Sequence, residues 1–304
     1  MGHYESGLVS VIMPTYKRSE KLTRAIESIL GQTYRNFELL LVNDNEPGDA
    51  FTAELKERVK PYEEDPRFKL ILQERHINGA AARNVGIRQA RGEYIAFLDD
   101  DDWWEANKLE VQVDELRKLP EDWGGVSCKF QFVNQQGEVT GKTAKYRDGH
   151  IYKDILFLLS DVTTCSLLLR HTALDQTGYF DETLRRHQDL QLLVNFTFQY
   201  KLKEVDEYLF NLDVSDGQNR PDGEALLQHK EKFFASVKPV TDTMSPSDRR
   251  CMHSLHNFEV GYVFLKAGEK RKGIRYCCSV FASPKAFVFS VKKVLLKLST
   301  QFKK

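Results

Sequence analysis

The sequence predicts a protein of the α/β class, in which a mostly parallel sheet is flanked by helices and followed by a helical C-terminal extension. Three observations support this prediction. Short apolar runs alternate with amphipathic helical segments over residues 8–102. The runs are apolar throughout, as expected where both faces of a parallel sheet are buried. From about Gly223 onward, helical periodicity replaces the alternation.

The first β–α unit is encoded by residues 8–31. The run LVSVIMPTY is rich in β-branched and apolar residues and predicts a strand that ends at Pro14. After it, five apolar residues recur at helical spacing and predict one buried helix face: Leu22, Ala25, Ile26, Ile29 and Leu30. Ser19 is the expected N-cap of this helix, and Gly31 is the expected stop after it.

Three strands and two helices follow in alternation. Residues 37–45 (FELLLVNDN) predict the second strand, and residues 49–64 predict the second helix. Residues 68–74 predict the third strand, and residues 79–92 the third helix. Residues 93–102 (EYIAFLDDDD) predict a fourth strand that runs into four aspartates.

Polar side chains follow three of these strands: Tyr16 the first, Asp44 the second and Asp99–Asp102 the fourth. Ligands of open α/β sheets bind outside the carboxyl ends of the strands, so these residues are expected to share one site. Four adjacent carboxylates repel one another. The repulsion is stronger here because the apolar strand before them and the indoles of Trp103 and Trp104 after them lower the local dielectric constant. The sequence therefore predicts that a cation offsets their charge.

Composition and charge exclude several function classes. Lys+Arg and Asp+Glu both number 44, so the net charge gives no case for nucleic-acid binding. The cysteines number five and show no CxxC spacing, which predicts reduced thiols in a cytoplasmic protein. No signal peptide opens the chain, and no apolar run is long enough to span a membrane.

Several nucleotide and metal motifs are absent or incomplete. A calcium loop would need a further acid two positions after Asp101, where the chain has Trp103. There is no phosphate-binding P-loop and no GxGxxG fingerprint, so ATP hydrolysis and hydride transfer have no anchor in this sequence.

Four segments, taken in order, resemble the inverting family 2 glycosyltransferases of GT-A fold, of the bacterial surface-polysaccharide type. They are VSVIMPTYKR, QTYRNFELLLVNDN, GAAARNVGIRQARGEYIAFLDDDDWWEANKL and GYFDETLRRHQDLQLLV. The resemblance extends from Val9 to about Asn211. It implies a Rossmann-like sheet and transfer of a hexosyl group from a nucleotide-sugar donor, a UDP-sugar, to a hydroxyl of a glycan acceptor. The acceptor it implies is lipid-linked and serves cell-surface polysaccharide synthesis.

The resemblance also implies a nucleotide site. Pro14 and Tyr16 would lie against the nucleobase, and Asp44 would accept a hydrogen bond from a base N–H. Arg83 would lie near the nucleotide. One departure is Asn43, where the family often has a second aspartate.

The family's D-x-D motif falls on Asp99–Asp101. Asp101 is the implied direct ligand of Mn²⁺ or Mg²⁺, while Asp99 and Asp100 would face the ribose or metal-bound water. Hard cations prefer oxygen ligands, and a cation on the diphosphate offsets the charge of the leaving group. Asp189 occupies the position of the general base, and Gln188 replaces the glutamate that usually precedes it.

Several alternatives remain open. Asp189 would also suit the N-cap of the helix that follows it. One of Trp103 and Trp104 is expected to pack at the end of the sheet and the other to stack on a sugar ring. The competing functions are a catalytically inactive family member that acts as an assembly partner, and a nucleotidyltransferase.

We assign residues 1–221 to a catalytic domain, with a nucleotide-binding half at about 7–104 and an acceptor half at about 105–221. Residues 222–304 form the helical extension, with breaks expected at Pro239, Pro246, Gly268 and Pro284. Acceptor placement, homo-oligomerisation and membrane attachment are the roles we consider for it.

The end of the chain predicts a basic amphipathic helix. Six apolar residues fall on one face: Phe287, Val291, Val294, Leu295, Leu298 and Phe302. Residues 270–304 contain ten Lys or Arg and no acid. Such a helix binds anionic membrane surfaces, which predicts a peripheral protein at the inner face of the plasma membrane. The alternative is a terminal helix that packs on its own domain.

Overall fold

The computed structural model of the chain describes residues 4–17, 21–144, 146–215 and 221–301, with side chains as far as residue 292. Ser19, the expected N-cap, and Phe302 lie outside these ranges. The chain divides into two compact units. The first comprises Met1–Tyr152 and Asp161–Gly217, and the second comprises Lys153–Ser160 and Gln218–Lys304.

The strands of the described residues form one nine-stranded sheet in the first unit. They are β1 Glu5–Thr15, β2 Phe37–Asn43, β3 Phe68–Leu72, β4 Gly92–Phe97, β5 Trp103–Trp104, β6 Trp123–Val133, β7 Val139–Lys142, β8 Leu168–Arg170 and β9 Lys201–Asp213. Their order is β3-β2-β1-β4-β8-β6-β9-β5, with β7 paired to β6.

Helices alternate with these strands and then continue alone. The first seven are α1 Leu22–Leu30, α2 Ala50–Val59, α3 Gly79–Gln89, α4 Lys108–Arg117, α5 Tyr152–Leu156, α6 His171–Thr177 and α7 Gln188–Gln199. The later ones are α8 Gly223–Ser236, α9 Lys238–Thr241, α10 Pro246–Lys266, α11 Lys270–Cys277 and α12 Pro284–Gln301. Short 3₁₀ helices lie at Lys60–Tyr62, Thr164–Ser166 and Cys278–Ala282. The predicted fold class is confirmed.

The four predicted strands form one parallel block, because β1 pairs in parallel with both β2 and β4, and β2 pairs in parallel with β3. Every residue of β2 is buried. The fourth strand ends at Phe97, earlier than its prediction, because the four aspartates leave the sheet in a turn. The Asp102 N–H closes this turn by donating to the Asp99 carbonyl oxygen at 3.2 Å. We call residues 99–102 the acid turn.

The acid turn joins a central strand to an edge strand. On one side of it lies β4, which is flanked by β1 and β8, and on the other side lies β5, which pairs only with β9. The Asp213 N–H at the end of β9 donates to the Asp102 carboxylate at 2.9 Å. The end of β9 is thereby fixed beside the end of β4, although two strands separate them in the order of the sheet.

The expected breaks in the helical extension agree with the helix boundaries. Pro246 and Pro284 begin helices, Pro239 lies in the first turn of the short α9, and Gly268 adopts a φ of +83° between α10 and α11. The two helices approach closely at Gly261, where an added Cβ would lie 2.6 Å from the backbone nitrogen of Cys277. Among the described residues, no helix is both long and apolar enough to cross a bilayer.

Candidate active site at the carboxyl ends of the strands

The side chains predicted from the strand ends lie at one edge of the sheet, where Thr15 connects two groups of them. The Thr15 carbonyl oxygen accepts a hydrogen bond from the Asp44 N–H at 2.9 Å. Its hydroxyl donates to the Asp100 carboxylate at 2.7 Å. One residue at the end of β1 thus holds both the loop after β2 and the acid turn after β4.

The first group contains Tyr16 and Asp44. The Asp44 side chain is buried and accepts hydrogen bonds from Gln73 Nε2 at 2.9 Å and from the Ile77 N–H at 3.2 Å. Burial raises the pKa of its carboxyl, while these donors and the neighbouring His76 act in the opposite direction. The Tyr16 ring stacks on His76 with centroids 4.2 Å apart. The group presents a half-exposed aromatic face beside a buried carboxylate.

Asn43, the departure from the family pattern, organises the loop after β2. It is fully buried, and its amide nitrogen donates to the Thr52 hydroxyl at 2.9 Å. Its oxygen accepts from the Asn45 side chain at 2.7 Å, and Asn45 in turn accepts from the Lys17 N–H at 2.8 Å. Because its side chain is fully used within the loop, Asn43 contributes to the site indirectly. Pro14 lies inside β1, in register with Val42 of β2.

In the second group, each residue of the acid turn is held by a different neighbour. Asp99 forms an ion pair with Arg83 of α3, and the Asp100 carboxylate is held by Thr15. The Asp102 carboxylate accepts the N–H of Asp213. Asp101 is held through its peptide, whose carbonyl oxygen accepts a hydrogen bond from Arg24 Nη2 at 3.0 Å.

The acid turn carries unfavourable electrostatic energy. Burial raises the pKa of the Asp102 carboxyl well above its usual range, and the negative charges of Asp99, Asp213 and Asp100 raise it further. The hydrogen bond from the Asp213 N–H only partly compensates. Binding of a cation near this carboxylate would therefore lower the electrostatic free energy of the site.

The residues present fit a hard divalent cation. Ligand atoms of Asp99, Asp102 and Cys165 lie within 4.8 Å of one another. Burial raises the pKa of the Cys165 thiol well above its usual range, so the two carboxylates are the groups of this set that would offer ligand atoms to a hard cation. Asp101, the implied direct ligand, is not one of these three, and its role stays a prediction.

Asp189 is the second residue of α7, and His187 occupies the N-cap position with a left-handed φ of 63°. The alternative of Asp189 as the N-cap is therefore wrong, because the cap lies two residues earlier. Burial raises the pKa of its carboxyl, and the Leu190 N–H and the Arg83 charge lower it to a smaller extent. The positive charge of Arg83 interacts with both Asp99 and Asp189. The predicted nucleotide site and the predicted general base therefore share one electrostatic environment.

Two buried polar atoms beside Asp189 have no hydrogen-bond partner in the described part of the chain. They are the Arg83 Nε, a donor, and the Gln188 Oε1, an acceptor. Leaving such groups unpaired costs about 1–3 kcal/mol each. A ligand that offers both acceptor oxygens and hydroxyl donors would satisfy them.

The two tryptophans are both covered by basic side chains. Trp104 is buried, its Nε1 donates to the Cys165 carbonyl oxygen at 3.1 Å, and Lys108 Nζ lies 4.0 Å from its ring centre. Trp103 is half-buried, and the Arg24 guanidinium stacks on it at 3.6 Å. Trp104 is thus the one that packs at the end of the sheet.

Sequence reasoning did not single out several residues of this site, among them Thr15, Arg24, Gln73, His76, Cys165 and Asp213. The rule of strand carboxyl ends would have indicated Gln73 and His76, which follow β3, and Asp213, which ends β9. Arg24 on a helix face and Cys165 in a 3₁₀ turn carry no comparable signal, since only the fold brings them to the acid turn.

Comparison with known families gives one match for the chain. Residues 10–178, more than half of its length, match the family described as Glycosyl transferase family 2.

Several relatives carry glycosyltransferase names. The chain is 35% identical over 252 residues to "Putative colanic acid biosynthesis glycosyl transferase WcaA" of Escherichia coli K12, covering 76% of this chain and 84% of that protein. It is 42% identical over 112 residues to "UDP-Glc:alpha-D-GlcNAc-diphosphoundecaprenol beta-1,3-glucosyltransferase WfgD" of Escherichia coli, covering 36% of this chain and 42% of that protein. The chain spans only 34%, 33% and 29% of the length of three Rickettsia relatives, all uncharacterized glycosyltransferases.

Solved structures share the fold at low sequence identity. The structure of S. aureus TarS 1-349 in complex with UDP-GlcNAc superposes with a TM-score of 0.64 at 17% identity, over 88% of this chain and 79% of that one. The mannosyltransferase PcManGT of Pyrobaculum calidifontis, in complex with GDP-Man and Mn²⁺, gives 0.57 at 16% identity, over 95% and 80%.

The buried Lys108, whose Nζ lies against the Trp104 ring, gives a testable pH dependence. Burial lowers the pKa of its ammonium from 10.5 to about 8, so the charged form disfavours folding at neutral pH. The unfolded chain binds more protons at this side chain between these two values, so the contribution of Lys108 to stability is expected to rise as pH increases from about 8 to 10.5. Lys108→Met should remove this rise, and at pH 7 it should stabilise the protein by up to about 3 kcal/mol, less the cost of leaving the Gln112 carbonyl without its donor.

The measurement is the free energy of unfolding by denaturant at pH 7 and pH 10 for both proteins. Lys69→Met, at an exposed lysine that pairs with Gln89, is the matched control and should leave the pH dependence unchanged. If the stability of Lys108→Met changed between pH 7 and pH 10 by as much as that of the wild type, the prediction would be contradicted.

Proposed function

Since the chain belongs to glycosyl transferase family 2, we propose that it transfers a sugar, with inversion at the anomeric carbon, from a nucleotide-sugar donor to a hydroxyl of a glycan acceptor. The observation that carries this proposal is the convergence of the acid turn, Arg83 and the half-buried Asp189 at one edge of the sheet. A donor diphosphate would supply the acceptor oxygen that Arg83 Nε lacks, and a cation would offset the charge between the diphosphate and the acid turn.

A uridine nucleotide is the proposed donor. Tyr16 offers an aromatic face for the base, and the Asp44 carboxylate suits a base N–H donor. Two similar proteins are associated with UDP-sugars: the name of WfgD includes UDP-Glc, and the structure of TarS is a complex with UDP-GlcNAc. The complex of PcManGT contains GDP-Man, so a guanosine nucleotide is the competitor that a donor panel must include.

The proposed reaction is a single displacement in which Asp189 is the general base. Its carboxylate takes the proton of the acceptor hydroxyl as that oxygen forms a bond to the anomeric carbon. The bond from the anomeric carbon to the donor phosphate breaks, and the nucleoside diphosphate leaves. The raised pKa of the Asp189 carboxyl brings it closer to the pH at which it must accept a proton.

Mg²⁺ or Mn²⁺ is the proposed cofactor, and when bound it would offset the negative charge of the diphosphate leaving group. Asp101 is the proposed direct ligand, with Asp99 and Asp100 beside it on the same turn. The grouping of Asp99 with Asp102 supports a cation at this turn, because both carboxylates offer hard oxygen atoms.

The acceptor we propose is a lipid-linked glycan at the inner face of the plasma membrane. The name of the similar protein WfgD includes a diphosphoundecaprenol-linked sugar. Residues 1–221 would form the catalytic domain, and residues 222–304 an extension that attaches to the membrane.

The described part of α12 supports this attachment. Ala286 and Ser290 are buried and Phe289 packs near Phe157, so one face of the helix lies against its own unit. Phe287 and Val291, which belong to the predicted apolar stripe, are exposed. The rest of the stripe (Val294, Leu295, Leu298 and Phe302) lies beyond the described side chains. The side chains of Phe287 and Val291 are therefore available for contact with a membrane.

The first prediction of this proposal is metal dependence. Chelation should abolish turnover and Mn²⁺ or Mg²⁺ should restore it. Asp101→Asn should lose turnover together with metal-dependent donor binding, measured by calorimetry, whereas Asp122→Asn at an exposed ion pair with Lys201 should behave as wild type. Full activity in excess chelator would refute a metal at the acid turn, and no turnover with any nucleotide sugar would favour the inactive assembly partner.

The second prediction concerns Asp189. Its replacement by Asn keeps an acceptor for the Leu190 N–H but removes the base, so transfer should fall by roughly 10²- to 10⁴-fold while donor binding and thermal stability survive. The wild-type rate should decline as pH falls through the raised pKa of this carboxyl, and Asp189→Asn should lose that acidic limb. Transfer at the wild-type rate in this variant would rule out Asp189 as the base.

The third prediction concerns the tail. Deletion of residues 285–304 should release the protein from anionic liposomes in a sedimentation assay, while turnover of a short soluble acceptor is largely retained. Deletion of residues 293–304 alone is the matched variant, because it keeps Phe289 and the buried face of α12. If the protein lacking residues 285–304 still sediments with liposomes, or the full chain never does, membrane attachment by the tail is wrong.

A further inference from the structure

Arg24 contacts the acid turn in a way that no other described cation does. It is the third residue of α1, and its Nη2 donates to the Asp101 carbonyl oxygen at 3.0 Å and to the Asp213 carboxylate at 3.1 Å. Its guanidinium plane stacks on the Trp103 ring at 3.6 Å. One side chain thus joins the turn, the strand after it and the end of β9.

The contact to Asp101 differs in kind from the contacts to its neighbours. Asp99, Asp100 and Asp102 are held through their carboxylates, so at least one oxygen of each already accepts a hydrogen bond or an ion pair. Arg24 binds the peptide of Asp101 instead. A donor on the peptide oxygen restrains the main chain of the turn directly, whatever the Asp101 carboxylate binds.

The geometry requires a guanidinium at this position. A planar group with several N–H donors can stack on an indole and donate at its edge at the same time, whereas an ammonium is a point charge without a stacking face. Because Trp103 directly follows the acid turn, the stack and the peptide hydrogen bond restrain the turn at two places.

Lys21 provides a natural comparison. Its Nζ lies 2.9 Å from the same Asp213 carboxylate and donates to the Ser215 hydroxyl at 2.7 Å. Lys21 and Arg24 therefore share one anionic partner and carry the same charge, but the hydrogen bond to Asp101 and the stack on Trp103 belong to Arg24 alone.

We propose that Arg24 is a positioning residue for the acid turn, which it holds in the conformation that presents the Asp101 carboxylate to the cation and diphosphate of the donor. This inference rests on the proposed metal-dependent function. It assigns to α1 a role in donor binding that neither the strand-end residues nor the family resemblance includes.

The test compares Arg24→Met with Lys21→Met, since each removes one positive charge beside Asp213. Hydrogen exchange of the backbone amides of residues 99–104 should accelerate in Arg24→Met and stay near the wild-type rate in Lys21→Met. The affinity for UDP in the presence of Mn²⁺, measured by calorimetry, should fall about tenfold in Arg24→Met, in line with the loss of one hydrogen bond and one stacked cation. In Lys21→Met it should stay within about twofold, because the contacts of Lys21 are to Asp213 and Ser215 rather than to the acid turn.

Arg24→Lys is the second variant, and it keeps the charge if Arg24→Met does not fold. It should resemble Arg24→Met, because a lysine retains the attraction to Asp213 but not the stack and the peptide hydrogen bond together. Wild-type behaviour of Arg24→Lys, unchanged exchange in Arg24→Met, unchanged UDP affinity, or equal effects for Lys21→Met would each overturn the proposal. If the wild type binds UDP equally well with and without Mn²⁺, the metal proposal is wrong. The hydrogen-exchange rates of residues 99–104 would then decide whether Arg24 positions the turn.

Discussion

The concentration of negative charge at the end of a buried strand is the constraint on which the rest of the site depends. Four consecutive carboxylates cannot follow β4 into the core, so the strand ends and the chain turns. Within the described part of the chain, four elements hold this turn: β1 through Thr15, α3 through Arg83, α1 through Arg24 and β9 through Asp213. The helices and strands around the site are therefore also its electrostatic supports.

These supports do not neutralise the acid turn. Arg83 pairs with Asp99, and the other anchors are a hydroxyl, a backbone N–H and a contact to a peptide oxygen. Burial and the remaining charge raise the pKa of Asp102, and the positive charge of Arg83 also acts on Asp189. Stability given up in this way would be recovered on binding of the proposed cation.

The sequence predicted the four strands of the nucleotide-binding half and the edge at which the site lies, because apolar runs and their polar ends are local signals. It predicted Tyr16, Asp44 and the acid turn by that rule, and Arg83 and Asp189 by resemblance. It could not predict that His76 stacks on Tyr16 or that Arg24 binds the turn, because those contacts depend on how α1 and the loop after β3 pack. The early end of β4 was missed because strand propensity alone does not include the cost of burying a carboxylate.

The acid turn also has a topological role, as the short link between β4 and β5. In a flat sheet these strands would lie four spacings apart, about 19 Å at ~4.8 Å per spacing. The six residue steps from Phe97 to Trp103 reach at most about 20 Å when fully extended, and the turn uses up much of that length. The sheet must therefore curl until the edge strand β5 lies near the central strand β4, and the four aspartates form the connection between these two strands. The reach of this link depends on the number of residues between Phe97 and Trp103, so an insertion or deletion here would disturb the pairing of β5 with β9 more than a substitution would.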